Sequence, residues 1–485
     1  MTTGTEILWT AAETAAATGG RATGPDWAAT GVSIDSRTVS PGDLFVALSG
    51  PNFDGHDFVA RALEAGAAGA LVARVPEGLG DAAPLVVCPD TFTGLGDLGA
   101  VSRLRSQARV AAVTGSVGKT GTKEALRHAL SALAPTFATE GSLNNHWGVP
   151  LSLARMPRDA DYGVFELGMN HAGELGPLSR QVRPDVAIIT TIEAVHLEHF
   201  ASVDAIADAK AEIFEGMTAN GAAVLNRDNP HFARLVAAAR TQGLSRILSF
   251  GADEDADARL VECSLHATCS AVTAEILGER IQYCLSMPGR HHVVNSLAVL
   301  LAAAALGGDV VQASKSLSRI PPLKGRGLRK RVELPQGSFT VIDESYNASP
   351  ASIAATLQVL GRSDPGAGGR RIAVLGDMLE LGPQAPQLHA GLSQPLRETA
   401  TDLVFCSGPN MRHLFDRLPA AMRGAHAEDS AALAPMVAAA VRAGDVVMVK
   451  GSAGSRMGRV VEALLARGTA PPATRNGAVP AAAAR

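Results

Sequence analysis

The chain has no CxxC pair among its five cysteines (Cys88, Cys263, Cys269, Cys284 and Cys406), and their number is odd. Scattered, unmatched thiols argue against a disulfide framework and fit a reducing compartment. A dominant charge is also missing. Lysine and arginine total 43 against 47 acidic residues, a formal balance of −4 that advertises neither nucleic acid nor an anionic membrane as a partner. No run reaches the ~20 apolar residues of a membrane span, and AVLLAAAALGG is too short. The opening MTTGTEILWT has neither a basic n-region nor a long apolar core, so no secretion signal is expected. No internal repeat is found. A soluble, cytoplasmic, monomeric protein is expected.

What is present is an ordinary globular balance, with 46% hydrophobic and 19% charged residues over 485 positions. That length exceeds one compact core and suggests about three domains. VSIDSRTVSPGDLFVAL carries strand-like runs around a Ser-Pro-Gly-Asp turn, and RALEAGAAGALVA reads as helix then strand. From Arg109 onward, short apolar strands (RVAAVTG, GVFELG, VAIITTI, AAVLN) alternate with helical segments. This is the pattern of a mostly parallel sheet covered by helices. RIPPLKGRG reads as an interdomain linker. FTVIDES, RIAVLGD, DLVFCSG and DVVMVKG then supply the strands of another α/β unit. The predicted fold is α/β in three domains: a small α/β substrate domain (1–108), a central P-loop, parallel-sheet domain (109–322) and a C-terminal Rossmann-like domain (323–468). Residues 469–485, rich in proline and alanine, read as a disordered tail.

Residues 113–124 read VTGSVGKTGTKE. The common phosphate loop is Gly, four residues, then Gly-Lys-Ser/Thr, but counting back from Gly118 puts Val113 at the first position. The glycine is Gly115 instead, giving a contracted GxxGKT. A buried-looking strand precedes the loop and a helical pattern follows, the context that the motif demands. Backbone amides from Gly115 through Ser116, Val117, Gly118 and Gly121 would cradle phosphate at a helix N-terminus. Lys119 would neutralise β/γ-phosphate charge and Thr120 would offer a hydroxyl to Mg²⁺. The guanine-reading NKxD is absent, which disfavours a GTPase switch. Glu166 closes a predicted strand, where a carboxylate can face the phosphates or simply be solvated. His196 follows the next strand. The HLEH spacing hints at zinc, but with no cysteine or further histidine cluster nearby that is the weaker reading.

Together these motifs resemble the Mur ligase family, whose contracted loop is GxxGKT. The resemblance spans nearly all of residues 30–460. It rests on an ordered set: DSRTVSPGDLFVAL with GPNFDGHDF, TGSVGKTGTKE, TEGSLNNHWGVPLSL, FELGMNHAGE, AVHLEHF, AKAEIF, GRHHVVNSLA, DESYNASP, GDMLELG and KGS. ELGMNHAGE and GDMLELG are most similar to the member that adds D-alanyl-D-alanine. The resemblance implies an ATP-dependent ligase using Mg²⁺. Such an enzyme joins D-alanyl-D-alanine to the tripeptide carboxylate of UDP-N-acetylmuramoyl-tripeptide through an acyl phosphate, in peptidoglycan precursor synthesis.

It also implies roles for individual residues. Glu166 and His196 fall on Mg²⁺ positions. Lys210 falls on a lysine carbamylated by CO₂, although by itself it reads as a helix-face lysine pairing Glu212 or Glu215. Asn295 would contact adenine, Arg326 the phosphates and Asp343 the ribose. Ser36 and Arg37 would serve the UDP end, and Asn144, Asn145, Asn170 and His171 would face substrate. His196 and His171 are candidates for the base that frees the attacking amine. Closure of the C-terminal domain about RIPPLKGRG is expected to exclude water.

Departures from the family pattern are His292 in place of an asparagine and DESYNAS in place of DDSYNAN, which puts the role of the second acid in doubt. RDNP at 227–230 resembles a motif of the diaminopimelate-adding member but falls in the second domain, and it reads as a turn. The alternatives are a sister amino-acid-adding ligase, folylpolyglutamate synthetase, or a regulatory ATPase that performs no ligation. The first-domain motif disfavours the folate enzyme.

Overall fold

The computed structural model describes residues 6–80, 82–195 and 197–468. His196 and the tail at 469–485 lie outside the described residues. The chain divides into two compact units. One runs to Pro321 and includes Glu380–Gly382, and the other comprises Pro322–Leu379 and the residues from Pro383 on.

The first unit holds two large sheets. A five-stranded sheet, in the order Arg21–Thr23, Leu85–Val87, Gly69–Val72, Asp43–Val46, Gly31–Ser33, is parallel except for its first pair. A nine-stranded sheet begins with Thr136–Ala138, Tyr162–Glu166, Arg109–Thr114, Val186–Ile189, Ala222–Asn226 and Arg246–Gly251, all parallel. It ends in an antiparallel ribbon of Ala258–Leu265, Ser270–Ile276 and Glu279–Leu285. The strands read from RVAAVTG, GVFELG, VAIITTI and AAVLN are therefore present and parallel, whereas the ribbon was not anticipated.

Helices cover both faces of this larger sheet. Arg290–Ala305 is apolar on nearly every side, so it is buried, with Leu297 through Ala303 fully enclosed. It packs beside Lys119–Ser131, whose Leu126, Ala129 and Leu130 share the same core. The small sheet is fastened to the large one by defined contacts. The indole of Trp9, in a short strand pair beside the small sheet, donates to the Ala154 carbonyl at 2.9 Å, and Arg155 Nε donates to the Val32 carbonyl at 2.6 Å.

The second unit is a six-stranded sheet in the order Leu328–Leu334, Gly337–Glu344, Val446–Lys450, Arg371–Gly376, Leu403–Ser407, Arg423–Ala427. Only its first pair is antiparallel. The helix Pro350–Gly361 starts at Ser349, whose side chain accepts from Ser352 N in a capping box, with proline in the first turn.

Candidate active site

Parallel register collects strand ends at one edge of the nine-stranded sheet, the edge at which open α/β sheets bind ligands. Val113 pairs with Glu166, and Thr114 with Ile189. The loop that leaves Thr114 is therefore flanked by Glu166 on one side and Thr190 on the other.

The loop needs its glycines. Gly115 has φ +142°, and a Cβ there would meet Thr190 Oγ1 at 2.0 Å. Gly118 is left-handed at φ +85° and caps the helix Lys119–Ser131. A Cβ on Gly118 would meet Asn295 Nδ2 at 2.7 Å, so the loop and Asn295 are in close approach. Thr190 Oγ1 donates to the Val117 carbonyl at 2.6 Å. Ser116 is held at three points: its N–H donates to Thr191 O at 2.9 Å, its hydroxyl donates to Glu193 O at 3.1 Å, and Glu193 N donates to that hydroxyl at 2.9 Å. The Lys119 ammonium donates to Gly115 O at 2.8 Å. The first helical amides have no acceptor within the helix and present positive potential to an anion.

One carboxylate dominates the mouth of this loop. Glu166 is buried, and it accepts from Thr120 Oγ1 at 2.5 Å on one oxygen and from Asn144 Nδ2 at 2.8 Å on the other. A carboxylate paired with a hydroxyl is a hard oxygen donor set, suited to Mg²⁺ that completes its shell with phosphate oxygens and water. Among the described residues no three His, Cys, Asp or Glu side chains converge as a metal-binding group.

Lys210 lies in the last turn of the helix Val203–Ala211 and is buried. It is not the exposed helix-face lysine that its sequence neighbours suggested. Glu212 instead accepts from the amides of Gly173, Leu175 and Gly176, and Glu215 pairs with Arg180. Burial, reinforced by the Lys119 ammonium, holds the Lys210 amine well below the usual lysine range.

The proposed substrate loops are ordered by their own side chains. Asn145 Oδ1 accepts from Trp147 N and Gly148 N at 3.2 and 3.0 Å. The amides of Asn170 and His171 donate to Glu174, and the tilted rings of His171 and His199 lie with centroids 4.4 Å apart. Ser36 and Arg37 lie in the turn after Gly31–Ser33. Arg37 pairs with Asp35 at 2.6 Å and pulls that carboxyl down to about 2. Beside Asn145 the rings of Phe53, Phe92, His146 and Trp147 form a cluster with centroid spacings of 5.8–6.3 Å, which the sequence reading did not single out. The ring of His292 lies tilted against His291, centroids 4.0 Å apart, and lines a small cleft with Gly121, Met287 and Asn295. RDNP is indeed a turn, held by Ala252 N and Asp253 N donating to Asp228.

In the second unit, Asp343 lies next to the end of the strand Gly337–Glu344 and accepts from Gly325 N, Ser345 N and Ser345 Oγ at 3.1, 3.1 and 2.6 Å. Arg326 lies 3.9 Å over the Tyr346 ring. The second acid, whose role was in doubt, is engaged: Glu344 faces Lys450 at 3.5 Å. Burial raises the Glu344 carboxyl and lowers the Lys450 amine, and each partner partly offsets the other's shift. GDMLELG also gains a structural meaning. Asp377 accepts from Asn410 N and Met411 N, which fixes the end of the neighbouring strand.

Family models match along the chain: Mur ligase family, catalytic domain, over residues 28–80; Mur ligase middle domain over 113–303; and Mur ligase, glutamate ligase domain, over 330–453. The Escherichia coli (strain K12) protein named UDP-N-acetylmuramoyl-tripeptide--D-alanyl-D-alanine ligase is 34% identical over 452 residues, which is 93% of this chain and 97% of that protein. The chain belongs to the Mur ligase family. This Mur ligase also matches solved MurF structures. MurF from Acinetobacter baumannii is 32% identical, with TM-score 0.81 over 94% of this chain and 99% of that one. MurF from Thermotoga maritima, solved in complex with ADP, is 27% identical, with TM-score 0.74 over 90% and 97%.

Proposed function

We infer that this Mur ligase is an ATP-dependent enzyme that joins D-alanyl-D-alanine to the tripeptide carboxylate of UDP-N-acetylmuramoyl-tripeptide. The observation that carries the reading is the match to the E. coli ligase over 93% of the chain, with an intact phosphate loop at its centre.

A carboxylate resists amine attack because its charge is delocalised and oxide is a poor leaving group. Transfer of the γ-phosphoryl group removes both obstacles. A carboxylate oxygen attacks the γ-phosphorus, the bond to the β-phosphate oxygen breaks, and ADP leaves. The amine lone pair of D-alanyl-D-alanine then attacks the acyl carbon of the acyl phosphate. The tetrahedral intermediate expels inorganic phosphate, and the amine proton passes to a base, for which His171 and His196 are the candidates.

The chain's own groups serve these steps by placement and charge. The loop amides from Ser116 to Gly121 and the Lys119 ammonium hold the triphosphate. Thr120 and Glu166, with Lys210 and His196, would hold Mg²⁺, which when bound neutralises phosphate charge. A lowered pKa favours the neutral amine of Lys210, the form that reacts with CO₂, and a carbamate there would turn this buried group into an anion able to help hold Mg²⁺. Asn295 is proposed for adenine, and in the second unit Arg326 and Asp343 are proposed as nucleotide contacts. Ser36 and Arg37 are proposed for the UDP end of the substrate, and Asn144, Asn145, Asn170 and His171 for its peptide end. A UDP-linked, highly charged substrate supports a cytoplasmic site for the reaction.

The test is phosphate release by the purified chain. Release that needs both UDP-N-acetylmuramoyl-tripeptide and D-alanyl-D-alanine, with the ligated product seen by mass spectrometry, supports the reading. Release indifferent to either substrate overturns it.

A further inference from the structure

Lys123 lies one helical turn beyond Lys119 and is fully buried, a position that lysine rarely takes. Its ammonium is satisfied: it donates to Glu124 Oε1 at 2.5 Å, to Thr139 O at 2.6 Å and to Gly141 O at 3.3 Å. Three donors meet three acceptors. Glu124 is in turn held by Arg127 Nε at 2.8 Å. Burying an ammonium costs several kcal/mol even when it is paired, and an apolar side chain of similar length often fills such a site with no loss of stability. Stability is therefore a poor reason for a lysine here, whereas geometry is a good one.

The carbonyls of Thr139 and Gly141 belong to the segment that leads into Asn144. Asn144 O accepts from Gly168 N at 2.8 Å, and Asn144 Nδ2 donates to Glu166 Oε1 at 2.8 Å. The other oxygen of Glu166 takes Thr120 Oγ1, from the same helix as Lys123. The contacts close a ring that runs from Lys123 through residues 139–144 and Glu166 to Thr120 and back along one turn of helix. We propose that Lys123 is a positioning residue: by clamping residues 139–141 to the phosphate-loop helix it fixes Asn144, and through Asn144 it orients Glu166 toward Mg²⁺. This rests on the reading of Glu166 as the metal-facing acid. Partners of this kind, one step removed from the metal, alter metal affinity by about 10–100-fold when removed.

The experiment measures ADP binding to the full chain by calorimetry, in Mg²⁺ and in EDTA, for wild type, Lys123→Met, Asn144→Ala, the double variant and Glu166→Gln. The expected result is that K123M keeps the wild-type affinity in EDTA but loses about tenfold of the gain that Mg²⁺ confers. The double variant should lose no more of that gain than N144A alone. General structural damage would instead weaken both arms together, and that overturns the proposal. So does a K123M protein with the full Mg²⁺ gain when E166Q has lost it. Should E166Q itself keep the gain, the reading of Glu166 fails and the inference falls with it. If K123M does not fold, K123R takes its place in the same cycle: losses that fail to add to N144A support positioning through Asn144, and additive losses overturn it.

Discussion

Lys119 and Lys210 repel each other: after burial, the Lys119 ammonium is the second cause that keeps the Lys210 amine well below its ordinary pKa. One lysine donates to the loop carbonyls while the other is driven toward its neutral form.

The loop lysine should be indispensable for turnover. Lys119→Ala is expected to lower kcat/KM by about 10²–10³-fold, the scale of losing one charge-stabilising donor at the reacting group. The check is steady-state phosphate release with both substrates. Undiminished turnover would refute the phosphate-loop mechanism.

Lys210 should cost the fold something. Unfolded, its amine is protonated up to its ordinary pKa, whereas in the folded chain it releases the proton at much lower pH. The unfolded state thus binds more protons across that window, and wild-type stability rises with pH through it. In CO₂-depleted buffer, Lys210→Met is expected to melt higher than wild type, with the difference widening as pH falls. The same variant should be inactive and should lack the carbamate signal that ¹³C-bicarbonate gives in carbon NMR of the wild type.

Gly118→Ala should strain the loop. A left-handed φ of +85° costs an alanine about 1–2 kcal/mol, and its methyl presses on Asn295 Nδ2. Denaturant unfolding should register that loss, and ADP affinity should fall with it. Wild-type values for both would show that the loop does not need this geometry.

The pair in the second unit should behave as a unit. Glu344→Gln leaves the Lys450 ammonium buried without its counter-charge, and a loss of about 3 kcal/mol is expected. Adding Lys450→Met should recover most of it. A double variant no more stable than E344Q would argue that the two residues act separately.

Much of this architecture was readable because it is written locally. GxxGKT between a short apolar strand and an amphipathic helix specifies the phosphate loop, and runs such as RVAAV and VAII leave little alternative to buried parallel strands. The ribbon Glu279–Leu285 alternates exposed and buried residues, a period-2 signal that was available and went unread. Other features are not local at all. Lys123 meets carbonyls 16 and 18 residues away, and Glu344 meets a lysine 106 residues on. Backbone acceptors have no side-chain signature, so no motif could announce the Lys123 clamp. The local pairing of Lys210 with Glu212 or Glu215 fails for a related reason, since those acids are spent on other partners.

Thr190 fills the space that a side chain on Gly115 would need, and its hydroxyl grips Val117 O. The loop proposed to cradle the anion is thus held by the protein's own contacts, which would leave little ordering entropy to be lost on docking. A competitor shaped to that ready-made mould would inherit the same advantage as the nucleotide.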